Sequence, residues 1–98
     1  MIMNEVRVRP LPMHNGDVIE VRYNGLLAKS GAEQVYLHTG VAYEYDWTNV
    51  QNIKMNKAEN DWVANVDLKE PVKLKFCFKD SADNWDNNNG RNWSYTII

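Results

Sequence analysis

An indole set among amides and carboxylates is a group placed to meet something outside the protein, and the run Asp83-Asn84-Trp85-Asp86-Asn87-Asn88-Asn89-Gly90 sets Trp85 in that way. Burying so many Asn and Asp side chains without partners would cost on the order of a few kcal/mol each, so the segment must run over the surface. An exposed indole forgoes about 2 kcal/mol of burial, which marks it as a binding platform. The competing reading is an Asn/Gly turn whose Trp folds back onto the edge of the core. A second indole, Trp47, stands in Tyr43-Glu44-Tyr45-Asp46-Trp47-Thr48-Asn49, a loop-like segment dense in aromatic and polar groups. His38 stands just before Thr39-Gly40. Two indoles and an imidazole flanked by Asn and Asp suit a neutral sugar chain. The C–H face of a pyranose stacks on a ring, and its hydroxyls need planar partners that donate and accept.

Other chemistries fit these residues less well. Asp80, Asp83 and Asp86 cluster, but exposed carboxylates three apart in an Asn-rich loop read more simply as turn residues than as an acid and base at working distance. The chain is therefore expected not to be an enzyme. Calcium fails on spacing: with Gly90 as the sixth position of an EF-hand loop, Trp85 falls first and Thr96 falls where the bidentate Glu belongs. No metal or cofactor is expected. The main alternative is an immunoglobulin-like domain that binds another protein through the aromatic loop at Tyr43, Tyr45 and Trp47.

The elements that must hold these groups are strands. Apolar residues alternate with polar ones at Ile19, Val21 and Tyr23, at Trp62, Ala64, Val66 and Leu68, and at Trp93, Tyr95 and Ile97. The clearest alternation is Val72, Leu74, Phe76 and Phe78 against Lys73, Lys75, Cys77 and Lys79, which puts Cys77 on the wet side. A strand over residues 34–39 puts Val35 and Leu37 inward and Tyr36 and His38 outward, and residues 6–11 before Pro12 read as an edge strand. The same parity makes Trp62 and Trp93 core residues. Asn15-Gly16, Asn24-Gly25, Ser30-Gly31 and Asn89-Gly90 supply the turns, and no segment sustains a helical stripe. The expectation is an all-β, antiparallel immunoglobulin-like β-sandwich.

Ninety-eight residues suffice for one core, so residues 1–98 are expected to form a single module. The net charge of −2, with basic residues scattered, suits neither nucleic acid nor an anionic membrane. The only cysteine, Cys77, has no internal partner and reads as a reduced structural thiol. No stretch has the apolar core of a signal peptide or the length of a membrane span. A secreted location is expected if the chain is part of an enzyme that degrades a sugar polymer, and a cytoplasmic one if it is complete.

Taken in order, these residues match a known pattern. Gly16-Asp17-Val18, Tyr23-Asn24-Gly25-Leu26-Leu27, Val35-Tyr36-Leu37-His38-Thr39-Gly40, Trp47, Trp62, Phe76-Cys77-Phe78-Lys79-Asp80-Ser81 and Asn84-Trp85-Asp86-Asn87-Asn88 with Gly90 resemble the family 25 carbohydrate-binding modules. They also resemble the related starch-binding modules of plant starch synthases. The likeness spans nearly the whole chain, and its most specific pieces are the His-x-Gly strand end and the Phe-Lys-Asp…Trp-Asp-Asn-Asn block. It implies a sandwich that binds α-glucans such as starch, glycogen and maltooligosaccharides through one His and two Trp. These fall on His38, Trp47 and Trp85, with Asp86, Asn87 and Asn88 as hydrogen-bonding neighbours. Residues 41–52 are the variable part of such modules, so Tyr45 stands as the alternative to Trp47. The resemblance also implies a monomer that works with a fused or associated amylolytic or glucan-synthesising enzyme.

Overall fold

The computed structural model describes residues 5–42, 47–69 and 72–98. Among these residues, nine strands and one helical turn follow in order: β1 (Val6–Arg9), β2 (Val18–Tyr23), α1 (Leu26–Lys29), β3 (Val35–Ala42), β4 (Trp47–Lys54), β5 (Asn56–Ala58), β6 (Asp61–Asp67), β7 (Lys73–Asp80), β8 (Trp85–Asp86) and β9 (Trp93–Thr96). They form two antiparallel sheets, β1-β2-β6-β5 and β4-β3-β7-β8, with β9 also paired to β7. β8 takes residues 78–79 of β7, and β9 takes residues 73–76. The period-two pattern accounts for the sandwich, because each sheet turns its alternating apolar residues inward.

Between the sheets lie Ile19, Val21, Tyr23, Val35, Leu37, Trp62, Val66, Leu74, Phe76 and Phe78. Tyr23 stacks on Phe78 with ring centroids 3.9 Å apart, and Phe76 lies nearly parallel to Trp93 and Tyr95 at 6.1 and 6.0 Å. Trp62 is buried as its parity predicts, and Trp93 is partly buried against the same core. The Tyr23 ring also shapes the following turn: a Cβ on Gly25 would stand 2.6 Å from it. Only glycine lets the chain pass there and wind into the single turn α1, which is too short to leave a helical stripe in the sequence.

Two expectations are corrected. Residues 47–49 are not a loop but open β4, whose backbone finds its partners along β3. Cys77 is on the outer side of its sheet, as its parity requires, yet it is buried. It sits directly across the ladder from His38, where large rings gather and exclude water. Burial first, and the negative charge of Asp86 second, push its thiol up to about 11. The folded chain therefore holds this proton more tightly than the unfolded chain, whose thiol titrates near 9.0. The associated stability is full below pH 9 and fades as pH rises through 11. Native protein at pH 8 is expected to react with a disulfide reagent far more slowly than protein unfolded in denaturant, as a thiolate-release assay would record.

Candidate functional site

The outer face of the five-stranded sheet carries the three rings. His38 on β3 faces outward opposite Asn52 on β4 and Cys77 on β7. Trp85 enters the same face from β8, paired with Lys79. Trp47 reaches it from the start of β4, paired with Ala42.

Trp47 and Asn52 are five residues apart on one strand, and regular alternation would send them to opposite faces. The ladder slips between them: two steps on β3, from Thr39 to Val41, are met by three steps on β4, from Gln51 to Thr48. This β-bulge includes Asn49, whose φ is 52°. The extra residue restores Trp47 to the face of His38. Gly40 lies opposite the bulge and must be a glycine, because a Cβ there would come within 2.9 Å of the Thr48 carbonyl and 3.5 Å of the Trp47 ring. The His-x-Gly spacing thus has a packing cause.

The imidazole lies between the indoles. Its centroid is 5.7 Å from that of Trp47 with planes tilted 34°, and 5.1 Å from that of Trp85 with planes at 89°. The two indole planes are therefore inclined to each other by at least 55°, the difference between those angles. Trp85 is 46% exposed and so remains open to a ligand. Lys79 braces it, with Nζ 5.3 Å from the ring centroid and 2.9 Å from Asp83. His38 Nδ1 is 2.7 Å from Asn52 Oδ1.

The loop that delivers Trp85 is ordered by Asp80. One oxygen of its carboxylate accepts from the backbone N–H of Ala82 and Asn84, and the other accepts from the Asn84 side chain. Those bonds, with Asn84 the largest contributor, hold the Asp80 carboxyl below its usual range. Asp80 is thus engaged in a turn, and Asp83 with Lys79. Among the described residues, no three His, Cys, Asp or Glu side chains gather as a metal site.

Asp86 pairs with Phe78, so its side chain turns to the inner side of β8. There Oδ2 accepts from the Tyr23 hydroxyl at 2.7 Å, and that hydroxyl in turn accepts from the Leu27 N–H at 3.0 Å. Burial, followed by the Asp86 carboxylate, pushes the Tyr23 hydroxyl well above its ordinary range. Tyr23→Phe would leave the Leu27 N–H and a partly buried carboxylate without this partner. An equilibrium denaturation midpoint is expected to report a loss of about 1–3 kcal/mol.

Asn87 and Asn88 lie just beyond Trp85 and are exposed. Asn87 Oδ1 accepts from the Gly90 N–H, and Asn88 Nδ2 donates to the Asn92 carbonyl, so each carboxamide spends one end on its own turn. Tyr45 and Tyr43 lie outside the described residues, and so does most of the loop on which the protein-interaction alternative rests. Sequence reasoning missed Asn52, because only the cross-strand register brings it to His38. A concavity of about 470 Å³ lies elsewhere, near Thr39, Gln51, Ile53, Asn65 and Leu68, and among the described residues no aromatic side chain lines it.

Three comparisons bear on this geometry. Over 70 residues, or 69% of its length, the chain is 34% identical to a beta/alpha-amylase of Paenibacillus polymyxa, and it spans only 6% of that protein. Its fold is similar to the structure of an iodinated CBM25 from a Bacillus halodurans amylase. The TM-score is 0.62 at 19% identity, covering 86% of this chain and 89% of that one. The sequence pattern of the starch/carbohydrate-binding modules of family 53 matches residues 19–76, which run from β2 through β3 and β4 into β7. With more than half of its length matched and a β-sandwich carrying the ring cluster, the chain belongs to the starch/carbohydrate-binding module family 53.

Proposed function

We propose that this module binds α-1,4-glucans without catalysis, through His38, Trp47 and Trp85, and thereby holds an attached or associated enzyme on the polysaccharide. The observation that carries the reading is the inclination of at least 55° between two indoles on one face, with an imidazole between them. A flat chain such as cellulose presents its sugar faces in one plane and would meet only one of these rings squarely. A bent α-glucan turns successive glucose units through an angle and can lay one against each indole. Asn87 and Asn88 follow shortly after Trp85 and offer amide groups to the sugar hydroxyls. The parent-enzyme part is supported by the amylase name of the relative.

A site built from a few exposed rings is shallow. A single module acting as a monomer is expected to bind with a dissociation constant on the order of micromolar to millimolar, and repetition or linkage to an enzyme would raise the apparent affinity. Affinity electrophoresis tests the ligand class. Retardation by soluble starch and glycogen, with free migration in hydroxyethyl cellulose, is the expected pattern. Retardation by the cellulose derivative alone, or by none of the three, would reject it.

A further inference from the structure

We propose that Asn52 is a positioning residue of this site: it fixes the His38 imidazole as the Nδ1–H tautomer, so that Nε2 faces the ligand as a hydrogen-bond acceptor. The inference rests on the glucan-binding reading and extends it to a residue that does not itself stack on the sugar.

Asn52 Oδ1 can only accept a hydrogen bond, and it lies 2.7 Å from His38 Nδ1. With the carboxamide oxygen turned to the ring, that nitrogen carries the proton. A neutral imidazole has one N–H, so Nε2 is left with a lone pair. Among the described residues, this is the hydrogen bond that His38 makes. Its other close partners are the faces and edges of Trp47 and Trp85, which pack a carbon or a nitrogen edge almost equally well. Without Asn52, no other hydrogen bond among the described residues would distinguish the two ring orientations related by a half-turn about the Cβ–Cγ bond. With it, the ring is locked in one orientation and one tautomer.

The strand register builds this pair. His38 and Asn52 are directly opposed on β3 and β4, the closest placement a sheet gives to two side chains. The bulge between Asn52 and Trp47 then allows both residues of β4 to reach His38, one from each side of the slip. A bare ring platform would accept a glucose unit in several rotations about the stacking axis. A lone pair at a fixed point beside two indoles favours the rotation that brings a hydroxyl to it.

Nitrogen-15 spectra of histidine-labelled protein at neutral pH, paired with maltoheptaose titrations, test the assignment. The wild type is expected to show His38 protonated at Nδ1. Asn52→Leu removes the acceptor at similar volume and is expected to show mixed tautomers and about five-fold weaker binding. Asn52→Asp keeps an acceptor at the same place and is expected to keep both the tautomer and most of the affinity. All three proteins should melt at nearly the same temperature, since Asn52 is exposed. A wild type protonated at Nε2, an Asn52→Leu variant that binds as tightly as wild type, or an Asn52→Asp variant as weak as Asn52→Leu would overturn the role of Asn52 while leaving glucan binding intact. Absence of maltoheptaose binding by the wild type would instead sink the glucan reading itself, and with it the purpose assigned to Asn52.

Discussion

Replacing Trp85 by Ala is expected to weaken maltooligosaccharide binding by about 2 kcal/mol, roughly thirty-fold, while changing folding stability by less than about 0.5 kcal/mol. The separation follows from where the ring sits. Trp85 is 46% exposed and belongs to β8, a strand of two residues on the sheet edge. Among the described residues, its ring meets the His38 ring and the Lys79 ammonium, both on the outer face, so its removal is expected to open no cavity in the core. The loss should be recovered in part by Trp85→Phe, which keeps a smaller stacking face. Isothermal titration with maltoheptaose and a melting curve on the same sample measure both quantities. A variant that melts far below wild type yet binds normally would show that Trp85 holds the fold and that the sugar sits elsewhere.

Trp62→Ala is expected to behave in the opposite way, with a stability loss of about 3–5 kcal/mol and little effect on the affinity of the fraction that remains folded. Trp62 is 5% exposed on β6, across the ladder from Tyr23 and Lys57, with the Lys57 ammonium 5.0 Å from its ring centroid. Truncation would leave a large gap beside Tyr23 that strands of two sheets cannot close. One feature moderates the loss. Among the described residues, the buried Nε1 of Trp62 has no hydrogen-bond partner, so the native state already bears an unmet donor. Trp62→Phe discards that donor along with part of the ring and should cost less than the lost area alone implies. Urea unfolding with an unchanged slope would record both effects as shifts in midpoint.

The strands were legible because their signal is local. Alternation at Ile19 to Tyr23, Trp62 to Leu68 and Leu74 to Phe78 needs no knowledge of partners, and the same parity points His38 outward and Trp62 inward. Trp85 was legible for a related reason: no core could accept its Asn and Asp neighbours. What escaped was whatever depends on pairing. Trp47 read as part of a loop because polar residues surround it, but the edge of β3 makes it a strand, and a bulge decides which way it points. Cys77 read as wet because its strand neighbours on that side are lysines. The rings that shelter it arrive from β3, β4 and β8. The resemblance groups Asp86 with Asn87 and Asn88, and its bond to Tyr23 is visible only once the strands are paired. Asn52 carried no local signal at all.

The most direct test of the account is a titration of the four indole N–H resonances with maltoheptaose, assigned by single substitutions. The signals of Trp47 and Trp85 should move together along one binding curve while those of Trp62 and Trp93 stay in place. Movement confined to Trp62 or Trp93, or saturable binding that leaves both Trp47 and Trp85 unmoved, would contradict it.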